Sequence, residues 1–191
     1  MADGRGHTLT PTASQTVGPF FHLGLDWLFS SAVADPDAPG THLTVRGRVL
    51  DGERKPVSDA LVELWQADPE GAYAVPGRAP SPGFRGYARV PTDELGAFEF
   101  STVKPGRVAA PGGGLQAPHA LVHVFMRGLL RPLVTRLYFA DERANADDPV
   151  LAAVPASRRE TLLAVPRPWA SDVFEWNIVL QGPGETVFFD G

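Results

Sequence analysis

The sequence predicts an all-β protein: an antiparallel β-sandwich with long irregular loops, an N-terminal arm and one short helix. Three observations carry this. Glycine and proline are abundant, 20 and 19 of 191 residues, against an average near 12% for the two together. About seven short runs alternate apolar and polar residues with a period of two, the pattern of half-buried strands. Clusters of Gly, Pro and Asp separate those runs, as turns require.

Residues 1–42 read as an arm and partner-contacting segment, and residues 43–191 as the sandwich. Within the arm, FFHLGLDWLF (20–29) has the spacing of one or two helical turns, weakened by Gly24. The expected strands are LTVRGRVL (43–50), ALVELWQAD (60–68), GAFEFSTV (96–103), HALVHVFM (119–126), VTRLYF (134–139), DVFEWNIVLQG (172–182) and ETVFFD (185–190). A further strand is expected around Tyr87. One helix is expected over 157–164, where Ser157 and Glu160 have capping-box spacing ahead of Leu162 and Leu163, and Pro166 follows. Asp147 and Asp148 precede Pro149 as a loop or a helix cap. The loops at 71–86 and 104–118 are long enough to carry function.

Composition narrows the function classes. Hydrophobic residues make up 43% and charged residues 20%, enough to bury a core. Acids outnumber bases 22 to 17, so the net charge of −5 supplies no attraction to nucleic acid or an anionic membrane. With no cysteine, disulfides, thiolate metal sites and a Cys nucleophile are excluded. No apolar run approaches the roughly 20 residues that span a bilayer, and MADGRGHTLTPTASQ carries no apolar secretory region. A soluble cytoplasmic chain is expected.

The run GRVLDGERKPVSDALVELWQADPEGAY (47–73) is followed by TDELGAFEFSTVKPG (92–106), Ala117-Pro118-His119 and TRLYFADE (135–142). SQTVGPFFHLGL (14–25) precedes them and GETVFFDG (184–191) closes the chain. In order and spacing, this series resembles the intradiol ring-cleavage dioxygenases over most of the length. The resemblance implies a β-sandwich whose loops hold a non-haem ferric ion on two Tyr and two His, opening a catechol ring between its hydroxyls. In hetero-oligomeric members, only one of two homologous chains, the β chain, carries the iron.

The family's His-x-His pair follows Arg-Pro on a strand. Residues i and i+2 share a strand face roughly 7 Å apart, so both imidazoles reach one ion. Here Ala117-Pro118 takes the place of Arg-Pro, and the ligand positions fall on Ala120 and Val122. The tyrosine after Lys-Pro-Gly-x falls on Val108. The loop after Tyr73 offers no second tyrosine before Tyr87. This pattern is that of the iron-free α chain: no metal and no catalytic residue in this chain, with ferric iron held by a homologous β-chain partner that acts on an aromatic catecholic acid and O2.

The resemblance further implies that Thr16, Gly18, Pro19 and Arg136 line the partner's substrate pocket. Arg136 is the one charged residue inside an apolar strand, and Arg suits a carboxylate. Its alternative role is an ion pair with Asp141 or Glu142. Two other classes stay open: a self-sufficient metalloenzyme using His119, His123 and a tyrosine, and a non-enzymatic β-sandwich binding module. His119 and His123 are i and i+4, about 13 Å apart if the segment is a strand, which favours a structural role.

Overall fold

The structure is a computed structural model that describes residues 13–16, 24–75, 77 and 81–190. The chain is built from strands: β1 (His42–Leu50), β2 (Leu61–Gln66), β3 (Tyr87–Pro91), β4 (Ala97–Val103), β5 (Val108–Ala109), β6 (Leu115–Gln116), β7 (His119–Phe125), β8 (Leu133–Phe139), β9 (Leu163–Arg167), β10 (Ala170–Glu175) and β11 (Ile178–Val179). Among the described residues, one α-helix, α1 (Pro149–Ala153), and short 3-10 turns join them. No described helix is long and apolar enough to cross a membrane.

One face of the sandwich is the antiparallel array β3-β2-β7-β8. The other centres on β1, which pairs antiparallel with β4 and parallel with β10 and β11. Strand β9 joins the two. Its start lies parallel to the end of β8, and its remainder pairs antiparallel with β10. The frame is therefore mixed, with three parallel pairings among mostly antiparallel ones. Between the faces, Val45, Phe100 and Phe174 of one pack with Val62, Leu64, Val122, Leu137 and Phe139 of the other. A smaller cluster, Ala117, Tyr138, Leu151, Val154 and Leu162, closes one end. Gly47 lets β1 approach the chain leaving β10: a Cβ there would lie 1.6 Å from the Trp176 carbonyl oxygen.

The alternating runs fold as strands where alternation is clean. The run 172–182 breaks into β10 and β11 around Trp176 and Asn177. In the run 185–190, pairing is confined to an isolated bridge between Phe189 and Val134. The short strands β5, β6 and β9 are not announced by alternation. The expected helix at 157–164 is instead a 3-10 helix over Ala156–Leu162, entered from Pro155 with no side-chain cap, and it runs directly into β9. The true α-helix lies earlier, with Asp148 as its cap and Pro149 in its first turn. Part of the segment read as arm belongs to the core: Val33, Ala34 and Ala38 are buried, and Ser30, Ala32 and Ala34 bridge to Arg89, Ser101 and Phe84. The helical spacing at 20–29 yields a 3-10 turn at Asp26–Leu28, its first residues lying outside those described.

Candidate functional site

The end of the sandwich where β7 begins and β8 finishes holds a polar network in an apolar setting. Asp148 is fully buried. One carboxylate oxygen accepts from the Ala117 N–H at 2.7 Å, fixing the entry to β7. The other accepts from the Leu151 N–H at 2.7 Å, capping α1, and from the Tyr138 hydroxyl at 3.2 Å. A buried carboxylate needs such partners to offset its lost hydration.

Next to it, Arg136 reaches out from β8. Its Nη1 donates to Gln116 Oε1 at 2.7 Å and to the Tyr138 hydroxyl at 3.3 Å. Its guanidinium carbon lies 5.9 Å from the centre of the Phe189 ring. Arg136 is half-buried, and its Nε and Nη2 make no hydrogen bond to a described residue. Beyond Gln116 and Phe189 opens a cleft of about 630 Å³, bounded by the 110–113 loop and by α1.

His119 forms the far side of the network. Its Nδ1–H donates to the Ala117 carbonyl at 2.7 Å, which leaves Nε2 to accept from the Tyr73 hydroxyl at 3.4 Å. Its ring leans on Tyr138 at 5.6 Å between centroids. Burial holds the His119 pKa below the usual imidazole value, outweighing the Ala117 bond that opposes it; the Arg136 charge lowers it further and Asp148 raises it. Burial likewise pushes the Tyr138 phenol up to about 12, against the Arg136 hydrogen bond and charge. At neutral pH the His119 imidazole and the Tyr138 phenol are thus neutral beside the Arg136 cation.

A family model described as dioxygenase matches residues 29–182. The chain is 46% identical to the protocatechuate 3,4-dioxygenase alpha chain of Burkholderia cepacia over 96% of its own length and 98% of the relative's. The beta chain of the same enzyme from Burkholderia cepacia is 32% identical over 91% of this chain and 77% of the relative. The chain belongs to the intradiol dioxygenase family. Among solved structures, the dioxygenase domain of a dioxygenase–carbohydrate-binding protein fusion from Streptomyces sp. SirexAA-E superposes with a TM-score of 0.62 at 30% identity, covering 91% of this chain and all of that domain.

The family's ferric ion asks for oxygen and nitrogen ligands. Val108 lies on β5 opposite Gln116, while Ala120 and Val122 face the buried core. Their side chains are hydrocarbon and carry no lone pair. His119 is turned onto Ala117 and Tyr73. His123 stands four residues along β7, with Nδ1 3.9 Å from Glu63. The two imidazoles have separate partners and do not converge, and no group of three or more His, Asp or Glu side chains among the described residues could hold a metal. Val108, Ala120 and Val122 therefore offer no donor atom to a ferric ion.

Of the four pocket-lining candidates, Thr16 and Arg136 are described, whereas Gly18 and Pro19 lie outside the described residues. The Thr16 hydroxyl accepts from the Gly128 N–H at 3.1 Å, which ties the arm to the β7–β8 hairpin. Arg136 lies further along β8, opposite Leu121. Its alternative partners are taken, because Lys104 pairs with both Asp141, at 2.8 Å, and Glu142, at 2.7 Å. Gln116, Tyr138 and Asp148 escape the sequence reading as Arg136's surroundings. Gln116 lies 20 residues from Arg136 and Asp148 lies 10 from Tyr138, and the one available signal was Asp148 ahead of Pro149.

Proposed function

We propose that this chain is the α subunit of a protocatechuate 3,4-dioxygenase. It holds no iron and completes the substrate pocket of a homologous β chain. That β chain carries the non-haem ferric ion and opens protocatechuate with O2 to 3-carboxy-cis,cis-muconate. One observation carries the reading: the chain is like α chains end to end, while Val108, Ala120 and Val122 stand where the family's ligands are expected. Thr16, Gly18 and Pro19 line the partner's pocket through the arm, where glycine allows close approach to a flat ring and proline sets the turn. Arg136 meets the substrate carboxylate at the pocket's edge, its open N–H groups suited to that anion. Trp27, 78% exposed within the segment 1–42, supports a surface covered on assembly.

The test is to produce this chain alone and together with its β chain, then measure iron, the visible tyrosinate–iron charge-transfer band and ring opening of protocatechuate. Colour, stoichiometric iron and product are expected only with the partner. One equivalent of tightly bound ferric ion in the isolated chain, or no change on adding the β chain, overturns the proposal.

A further inference from the structure

Arg136 is held in place without being neutralised. Both acceptors on Nη1 are uncharged: the Gln116 amide oxygen at 2.7 Å and the Tyr138 hydroxyl at 3.3 Å. Asp148 is the nearest acid in the hydrogen-bonded network, but its oxygens serve Ala117, Leu151 and Tyr138, and it reaches Arg136 only through the Tyr138 hydroxyl. No described carboxylate forms an ion pair with Arg136. The acids next along the chain, Asp141 and Glu142, are taken by Lys104.

The guanidinium is a rigid fork of five N–H donors. With both Nη1 hydrogens engaged, the remaining pair of parallel donors is the edge formed by Nε and Nη2. That edge matches the two oxygens of a carboxylate. Gln116 is 6% exposed. Its own amide nitrogen donates to the Ala109 carbonyl at 3.3 Å, so the side chain is pinned at both ends.

We propose that Gln116 is a positioning residue for anionic substrate. It turns the Nε–Nη2 edge of Arg136 outward as a two-toothed carboxylate clamp, and because it is an amide rather than an acid it leaves the full positive charge for the ligand. This rests on the reading of Arg136 as the substrate-carboxylate contact. Orientation and charge are separable: Gln116→Leu removes the acceptor and frees the fork, whereas Gln116→Glu keeps an acceptor but supplies a competing carboxylate.

The experiment uses the assembled αβ enzyme with protocatechuate and with plain catechol, which lacks the carboxylate. The readout is the ratio of the two kcat/KM values, with KM and kcat resolved for each and Tm recorded for every variant. Arg136→Ala serves as the reference and should lower the ratio by about tenfold or more, as loss of a charged hydrogen bond does. Gln116→Leu is expected to lower the ratio about three- to tenfold, through KM for protocatechuate. Gln116→Glu is expected to lower it at least as much, despite retaining the hydrogen bond. A wild-type ratio in both Gln116 variants, beside a lowered ratio in Arg136→Ala, overturns the positioning role and leaves the Arg136 reading intact. Equal losses on both substrates in Gln116→Leu, with a lower Tm, make Gln116 a packing residue and also overturn it. A flat ratio in Arg136→Ala removes the Arg136 reading, and the positioning role with it.

Discussion

Two strand arginines in this chain are treated in opposite ways. Arg89, on β3, stands directly across from Glu63 on β2, and its Nε donates to Glu63 Oε1 at 2.8 Å. The pair is mostly buried, with side-chain exposures of 21% and 13%. Around it, burial and Glu63 push the Tyr87 phenol up to about 12. Arg136 rests on an amide and a hydroxyl instead. A cation matched by an anion has little left to offer a ligand, and its energy goes into holding two strands in register. A cation matched by neutral acceptors is oriented yet still charged. On the proposed reading, the charge of the acceptor separates Arg89, a structural arginine, from Arg136, a recognition arginine.

Removing the anchor of the Arg136 side gives the largest expected effect. Asp148→Ala strips the α1 cap and leaves the Ala117 N–H and the Tyr138 hydroxyl unpaired in a buried place. Each orphaned polar group costs about 1–3 kcal/mol, and the cap adds about 1 kcal/mol. A loss of about 3–7 kcal/mol is expected in urea unfolding. A loss under about 1 kcal/mol would mean that Arg136 does not depend on this scaffold.

Next is Glu63→Gln, which converts the Arg89 pair into a chemical copy of the Arg136 pair. Arg89 loses its counter-charge in a mostly desolvated position, with an expected cost of about 1–3 kcal/mol. Spectrophotometric titration should then show Tyr87 ionising below its value of about 12, since a raising charge is gone. If stability and titration are both unmoved, the two arginines are not distinguished by their acceptors.

The smallest effect is a pH slope. Burial lowers the His119 pKa in the folded chain, so below the ordinary imidazole value near 6.5 the unfolded chain binds more protons than the folded one. This contribution to stability is intact above about pH 6.5 and declines as pH falls below it. In His119→Gln, the stability difference between pH 7 and pH 5 should shrink. An unchanged difference would show that the imidazole is not held neutral beside Arg136.

Much of this was open to reading from sequence, and the exceptions have physical causes. LTVRGRVL and HALVHVFM alternate cleanly because one side of each faces the core and the other does not, and they fold as β1 and β7. Strand β9 shows no such alternation: Pro166 sits within it, and its pairing comes from lying between β8 and β10. The Ser157–Glu160 spacing resembles a helix start, but Pro155 begins a 3-10 helix and the capping bond does not form. Arg136 was visible as a lone charge in an apolar strand. Its neutral acceptors were not, because Gln116 comes to it from β6, a strand of the separate β5–β6 pair 20 residues earlier.

Strand β1 has a consequence for how the chain is born. Its antiparallel neighbour β4 begins within about 50 residues of its end, but its other edge pairs with β10, where Arg46 meets Glu175 across 129 residues. At a ribosomal pace of about 5–20 residues per second, that edge waits on the order of ten seconds for its match. Until then it presents unpaired amides and carbonyls, the template on which strands of other chains add. Arg46 and Arg48 charge this waiting edge, and such charges discourage wrong pairing while the last strands are made.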